Sequence, residues 1–238
     1  MTPLARDAER FFHARFGEHE DLESAKAQQA YMKTTLRFHG VDAKTLRAAA
    51  ADFVKAHANE LDRAALRAIA EHLFATDWFD LRSAAIVILD RRRKHLTLAD
   101  LNWLIELVRS ASCWAHVDYL ATKVIGSIIG DPPRDAARIR AWAKDPDLWI
   151  RRTALLCQHD QLSAGGGDFD LWREIAVPML PEKVFWIRKA LGWVLRAVSR
   201  KRPALTAAFL RAHGEQCSGL TRREASKYVP KALLERGP

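Results

Sequence analysis

Residues 81–89 read Leu81-Arg82-Ser83-Ala84-Ala85-Ile86-Val87-Ile88-Leu89, and their pattern decides the class of fold. Leu81, Ala84, Ala85, Ile88 and Leu89 recur at the i, i+3, i+4, i+7, i+8 spacing that puts apolar side chains on one face of an α-helix. The same period continues along the chain, and no stretch alternates apolar and polar residues over the length of a strand. Alanine and leucine (39 and 28 residues) far outnumber valine and isoleucine (11 each), which favours helices. The sequence therefore predicts an all-α protein.

About thirteen helices joined by short loops are expected. The first ends at Gly17, and the others are predicted near 25–32, 42–58, 60–75, 78–91, 97–109, 113–129, 134–143, 147–159, 168–177, 182–200, 203–213 and 221–235. A helix with its loop takes about 17–20 residues, so pairs recur near the ~40 residues of HEAT or armadillo repeats, although no strict repeat signature is visible. Without a break in composition, we predict one domain over residues 1–238, built as a bundle or as a stack of helix pairs.

Length and composition exclude several classes of protein. With 238 residues, 49% of them hydrophobic and 28% charged, the chain is typical of a soluble globular protein. It contains no run of ~18 apolar residues and no apolar signal-peptide core near its N-terminus. Three widely spaced cysteines fit neither a disulfide framework nor a thiolate metal site, so we expect a cytoplasmic protein.

The net charge of +9 lies entirely in the second half of the chain. Residues 1–119 carry 17 basic and 17 acidic side chains, whereas residues 120–238 carry 21 and 12. Arginines outnumber lysines 26 to 12, and arginine suits bidentate contacts with phosphate. A one-sided basic surface indicates a polyanionic partner, most simply nucleic acid. The alternative is that a GC-rich genome favours arginine and alanine codons alike.

Common catalytic motifs are absent from the sequence. It has no HExxH, GxxxxGK[ST], GxSxG or CxxC motif, and its nine histidines are scattered, so we predict neither a metal nor a cofactor. Gly165-Gly166-Gly167 precedes an aspartate rather than a phosphate-binding lysine or serine, and it is interpreted as a loop.

The stretch Ser112–Leu120 places a carboxylate beside an apolar helix face. Ser112 is a candidate helix cap, and Trp114 and Asp118 lie one turn apart on the same face of the predicted helix. The apolar stripe of that helix comprises Val117, Leu120, Ala121, Val124, Ile125 and Ile128. Asp118 is either bonded to a neighbouring helix or arginine, or held as a functional carboxylate against an aromatic wall.

A second unusual stretch, residues 183–202, has seven basic residues and no acidic one. Its buried stripe is predicted at Val184, Ile187, Leu191, Leu195 and Val198. Lys189, Trp193, Arg196 and Arg200 share the other face, where a tryptophan among cations suits stacking on a sugar or base. The alternative is that Trp193 packs under the next helix and the cations are merely solvated. A third candidate is Arg152, which shares a face with Trp149 and Leu156 and is predicted to point at a phosphate.

Five stretches in chain order, together with the Trp-x-x-x-Asp pair, resemble the AlkD-like family of DNA alkylation repair glycosylases. They are Ala30–Lys33 with Phe38–Val41, Arg82–Asp90, Trp149–Ala154, Ile187–Arg196 and Leu220–Ala225. The resemblance implies a right-handed superhelical solenoid of HEAT-like antiparallel helix pairs with duplex DNA in a concave basic groove. Trp114 and Asp118 match the family's Trp-x-x-x-Asp pair, and Arg152 matches its arginine. Trp193 matches its second tryptophan, in preference to Trp186 because of the Gly-Trp-x-Leu-Arg context, and Tyr31 matches the tyrosine of the N-terminal motif.

The function that this resemblance implies is removal of cationic N3- or N7-alkylated purines from duplex DNA by a monomeric, monofunctional glycosylase, without flipping of the base. Asp118 would act near the anomeric carbon, Trp114 and Trp193 would contact the deoxyribose, and Arg152 would hold a phosphate. Two alternatives are a DNA-binding protein without catalytic activity that recognises distorted duplex, and a scaffold for protein interactions.

Overall fold

The computed structural model describes residues 2–130 and 133–235, and the regular elements in these ranges are helices. The predicted all-α class is confirmed. The α-helices are α1 (Pro3–Gly17), α2 (Leu22–Met32), α3 (Ala43–Ala56), α4 (Arg63–Phe74), α5 (Phe79–Arg91), α6 (Leu101–Ser110), α7 (Trp114–Tyr119), α8 (Gly126–Ile129), α9 (Ala136–Trp142), α10 (Leu148–Leu156), α11 (His159–Ala164), α12 (Phe169–Ala176), α13 (Phe185–Ser199), α14 (Pro203–His213), α15 (Gly219–Ala225) and α16 (Lys231–Leu234). Across residues 2–130 and 133–235, no helix is long and apolar enough to cross a membrane.

The chain packs as two compact units, Met1–Leu120 and Ala121–Pro238. The first contains α1–α7 and the second α8–α16. A single domain over residues 1–238 stays a prediction.

Helix α5 confirms the apolar stripe from which the fold class was predicted. Its five stripe residues are all buried, and Ile86 and Val87 on the flanking faces are buried too. The additional burial arises because α5 packs against both α3 and α4, so two sides of the helix are covered. This part of the first unit is held by apolar contacts around α5.

Three helices of the first unit begin at aspartates whose positions the sequence makes recognisable. The carboxylates of Asp21, Asp42 and Asp62 accept backbone N–H bonds from the first turns of α2, α3 and α4. Each cap satisfies donors that have no partner inside the helix, and its removal typically costs about 1 kcal/mol.

The helix predicted over 113–129 is interrupted by a π-helical turn. The π turn spans Leu120–Ile125, between α7 and α8. The prediction that Ser112 caps this helix was wrong: the N-cap is Cys113, in an extended conformation and without a side-chain cap bond. The Ser112 hydroxyl instead lies 3.5 Å from Thr34 Oγ1. The predicted apolar stripe is nevertheless buried throughout.

Two other boundaries differ from the prediction because tertiary contacts or a proline intervene. The helix predicted over 147–159 ends at Leu156, and α11 follows as a separate helix. Gln158, between the two, is buried and its side-chain oxygen accepts the N–H of Asp168 at 2.8 Å. The helix predicted over 221–235 is broken before α16, because Pro230 biases Val229 to an extended conformation.

Candidate functional site

Tyr31 lies on the last turn of α2 and is 69% exposed. The helix ends because Lys33 adopts a left-handed conformation, with φ of 53°. Gln29 Nε2 donates to the carbonyl of Leu36 at 2.7 Å, which ties the end of α2 to the loop that follows. The exposed phenol is therefore carried on a fixed segment.

The loop after α2 is fixed by a buried pair that sequence reasoning missed. The backbone N–H of His39 donates to Asp80 Oδ2 at 2.7 Å, and both side chains are buried. Gly40 has a φ of +84°, and a Cβ there would lie 2.1 Å from the carbonyl oxygen of Asp21. Only glycine allows this close approach without moving the backbone, which gives the Phe38-His39-Gly40 motif a structural reason.

Trp114 stands at the start of α7 and packs on the same segment. Together with Met32 and Ala115 it covers a buried cluster made of Ala25, Leu36, Phe38, Phe79 and Cys113. Its ring meets Tyr31 edge to face, with centroids 5.8 Å apart and planes at 77°. The structure thus brings together two of the predicted site residues, from α2 and α7, that lie 83 positions apart in the sequence.

Asp118 follows Trp114 by one turn of α7 and is half-buried. Burial raises the pKa of the Cys113 thiol, and the negative charge of Asp118 adds to this shift. The carboxylate is thus close enough to the buried start of α7 to interact electrostatically with it. Tyr31, Trp114 and Asp118 form what we call the aromatic–carboxylate group of the first unit.

The other titratable side chains of α7 are held in neutral forms. Burial lowers the pKa of His116 to about 3, with Arg82 adding to the shift, and Ser83 Oγ lies 2.9 Å from His116 Nε2. Burial and the neighbouring Asp90 raise the pKa of Tyr119 to about 12. At neutral pH neither side chain carries a charge, so Asp118 is the residue of α7 suited to stabilise a developing cation.

In the second unit, Lys189 and Arg196 of α13 share one acidic partner. Lys189 Nζ lies 3.1 Å from Glu224 Oε1, and Arg196 Nη1 donates to Glu224 Oε2. The sequence interpretation correctly found no acid within 183–202, but it missed Glu224, which α15 supplies from more than twenty residues away. The cations are therefore positioned by an ion pair.

Trp193 lies on α13 between these two cations and is half-buried. Its ring centroid is 4.5 Å from that of His159 on α11. His159 Nδ1 is in turn 3.1 Å from Asp160 Oδ1, and the other oxygen of Asp160 accepts a bond from Lys123 at 2.6 Å. Helix α11 therefore packs against one side of Trp193.

Arg152 is buried, with 1% of the residue exposed. Its Nη1 donates to the backbone carbonyl of Trp186, and its guanidinium carbon lies 5.8 Å from the centroid of the Trp186 ring. These contacts join α10 to the first turn of α13. The structure therefore describes a positioning contact for Arg152, whereas the phosphate contact stays a prediction.

Arg200 is exposed at the end of α13. It donates to Tyr228 Oη at 2.9 Å, and its guanidinium carbon lies 4.4 Å from the centroid of that ring. Lys227 Nζ lies 5.9 Å from the same centroid. The predicted face of α13 therefore ends in an exposed cation that an aromatic ring holds in place.

Neither a cluster of metal ligands nor an exposed thiol occurs among the described residues. Residues 2–130 and 133–235 hold no group of three or more His, Cys, Asp or Glu side chains that could bind a metal ion. All three cysteines are buried, and burial raises the pKa of each thiol, to about 12 for Cys157. Reactive thiolates are therefore disfavoured.

A comparison with models of protein families shows which family this chain belongs to. The model described as "DNA alkylation repair enzyme" matches residues 12–229. The chain belongs to this family. The matched range includes every site residue predicted from the sequence, and the resemblance to AlkD-like proteins is confirmed.

Among solved structures, the chain is similar to a protein described as a predicted DNA alkylation repair enzyme from Enterococcus faecalis. The TM-score is 0.75 at 24% sequence identity, and the alignment covers 89% of this chain and 97% of the other. At this identity the likeness establishes a common fold. No curated protein matches the chain.

Proposed function

We propose that this member of the family is a DNA glycosylase that hydrolyses the N-glycosidic bond of cationic N3- or N7-alkylated purines, such as 3-methyladenine and 7-methylguanine, in duplex DNA. The product would be an abasic site that enters base excision repair. The observation that carries the proposal is the aromatic–carboxylate group: half-buried Asp118 stands one turn from Trp114, whose ring meets the exposed Tyr31 at 5.8 Å.

The chemistry requires little more than a fixed negative charge. An alkylated purine already carries positive charge, so when the C1′–N bond breaks the bonding electron pair leaves with a neutral base and no general acid is needed. The sugar becomes oxocarbenium-like, and Asp118 stabilises it electrostatically. Water then forms the new C1′–O bond while the carboxylate accepts its proton.

The aromatic residues suit a cationic substrate. Trp114 and Trp193 would contact the deoxyribose of the lesion and attract its positive charge through their ring faces. Tyr31, exposed beside Trp114, would widen this surface on the first unit. A protein that grips sugar and backbone in this way does not have to flip the base, so bulky adducts would be tolerated and neutral lesions disfavoured.

The second unit would supply affinity for the DNA backbone. Its surplus of basic residues includes Lys189, Arg196 and Arg200 along α13, and cations of this kind bind phosphates without regard to sequence. Arg152 would contribute through its bond to the carbonyl of Trp186, by which it holds the start of α13 in place.

The test is release of methylated purines from duplex DNA treated with dimethyl sulfate, comparing wild type with Asp118→Asn. We expect release by wild type and a loss of about 100- to 1,000-fold in the variant, the range for removing one preorganised electrostatic group. Asp52→Asn is the matched control, because it makes the same charge change at an exposed site in the same unit and should keep full activity.

Two outcomes would overturn the proposal. If folded wild type binds duplex DNA but releases no base, the protein is a DNA-binding member without glycosylase activity on simple methyl adducts. If it has no DNA affinity at moderate salt, the protein is a scaffold for protein interactions, and neither the glycosylase nor the DNA-binding function applies. Circular dichroism and a DNA-binding titration on each variant distinguish a lost active group from a lost fold.

A further inference from the structure

The Glu224 carboxylate bridges two cations of α13 that are seven residues apart. One carboxylate oxygen accepts a bond from Lys189 and the other accepts a bond from Arg196. Trp193 lies between the two cations on the same side of the helix. A carboxylate that accepts bonds from a lysine and an arginine at once has the same two-oxygen pattern as a phosphodiester. The geometry is therefore that of an occupied anion site.

Close packing of α13 and α15 makes this bridge possible. A Cβ at Gly192 would lie 2.8 Å from Glu224 Cβ and 3.3 Å from Thr221 Cα, so any other residue would push α15 away. Thr221 Oγ1 also donates to the carbonyl of Arg188 at 3.1 Å. The backbone of Glu224 is thus held at a fixed distance from α13, while its carboxylate is placed by the bonds to Lys189 and Arg196.

The carboxylate is charged in this environment. Burial raises the pKa of Glu224, but the hydrogen bond from Lys189 and the charge of Arg196 outweigh burial, and the pKa lies below its usual value. At neutral pH the free protein therefore has one full negative charge between two of the cations that the proposed function assigns to DNA.

We propose that Glu224 occupies, in the free protein, the place that a DNA phosphate takes between Lys189 and Arg196 in the complex. This inference rests on the proposed function. Glu224 is a positioning residue, because it holds the two cations on either side of Trp193. It also lowers the affinity for undamaged duplex, because the phosphate that binds between the two cations must first displace its carboxylate. DNA backbone that is gripped at other points as well, as around a lesion, would displace it more readily.

The salt dependence of binding measures this role. Replacing Glu224 with glutamine removes one negative charge from the interface, so binding to an undamaged duplex should release about one more counterion. For Glu224→Gln we expect several-fold tighter binding to undamaged duplex at low salt and a log–log salt slope steeper by about 1 than wild type. The ratio of affinities for alkylated and undamaged duplex should fall.

Two further variants give the comparison its control. Glu174→Gln removes the same charge from the same unit and breaks a bidentate pair with Arg140, but it lies on α12, so it should keep the wild-type slope. Glu224→Asp keeps the charge and should restore a slope close to that of wild type. Thermal melting of each variant reports any change in stability separately.

An unchanged slope in Glu224→Gln, with weaker binding and a lower melting temperature, would mean that the pair only fastens α13 to α15. If Glu224→Gln does not fold, Lys189→Gln takes its place: the slope should fall by about 1 if Lys189 leaves Glu224 for a phosphate, and should not change if the pair persists in the complex. Failure of the glycosylase proposal appears separately, as DNA binding without base release by wild type.

Discussion

The two units hold their candidate functional side chains by different means. In the first unit, Trp114 rests on a buried apolar cluster and meets Tyr31 edge to face, so packing fixes its position. In the second unit, Lys189 and Arg196 are placed by their shared partner Glu224. Side chains fixed by packing keep their positions when the salt concentration changes. Ion pairs near the surface weaken with salt, and their cations can exchange the carboxylate for another anion.

This difference matches the tasks that the proposed reaction would give each unit. Stabilising a developing cation needs a carboxylate whose position does not move during the reaction. Gripping a DNA backbone needs cations that can leave one anion for another. The charge balance agrees, since residues 1–119 are neutral overall and the net charge of +9 belongs to residues 120–238.

The strongest test of the packed region is Phe79→Ala. Phe79 stacks between Phe38 and His116, with ring centroids 4.4 Å away on each side, and belongs to the cluster beneath Trp114. Removing the ring should lower the free energy of unfolding by about 3–5 kcal/mol and reduce base release with it. Urea denaturation measures the first effect and the dimethyl sulfate assay the second.

The matched control for that change is Phe185→Ala in the second unit. Phe185 begins α13 and is 53% exposed, so its loss should cost less than about 1 kcal/mol. Equal losses in the two variants would contradict the view that packing fixes the first unit's site.

The next largest effect is a pH dependence that belongs to His116. Burial lowers the pKa of His116 to about 3 in the folded state, against an ordinary value of 6.5 in the unfolded chain, so the stability it contributes is complete above pH 6.5 and declines as the pH falls from there toward 3. Between pH 7 and pH 5 this group should account for about 2 kcal/mol of lost stability.

His116→Phe keeps a ring in the stack and cannot be protonated. Urea titrations at pH 7 and pH 5 should therefore show a smaller loss on acidification in the variant than in wild type, by about 2 kcal/mol. The same loss in both proteins would mean that His116 is accessible to protons in the folded state.

The last of these tests separates the two roles of Arg152. Because its guanidinium is buried and bonds to Trp186, Arg152→Gln should destabilise the second unit by about 1–3 kcal/mol and leave the salt slope of DNA binding unchanged. Arg173→Gln, which removes the same charge at an exposed position on α12, is the control. A slope lower by about 1 at unchanged stability would instead establish the phosphate contact that the family resemblance implies.

Much of the fold could be predicted because the apolar residues on the buried face of a helix recur every three to four positions. The stripes of α5 and of residues 117–128 were visible in the sequence and are buried. The stripe predicted on α13 is buried at Ile187, Leu191, Leu195 and Val198, but the prediction was wrong for Val184, which is half-buried because it is the N-cap that precedes the helix.

The prediction was wrong at Pro230, where a single helix over 221–235 was expected and the chain is broken before α16. The π turn at Leu120–Ile125 and the break at Gln158 were not visible in the sequence. At the break, the buried side chain of Gln158 accepts a hydrogen bond from the backbone of Asp168, ten residues further on.

The candidate site divides in the same way. The sequence alone indicated Trp114, Asp118, Trp193 and the cations of α13 as unusual, since each breaks the apolar or solvated pattern of its own helix. It determined the all-α class, the charge asymmetry and the family resemblance. Only the tertiary structure set Tyr31 against Trp114, buried Arg152 beneath Trp186 and gave Lys189 and Arg196 a common acid in Glu224. These contacts join residues that lie 28 to 83 positions apart in the sequence. A periodicity of three to four residues carries no information over such separations.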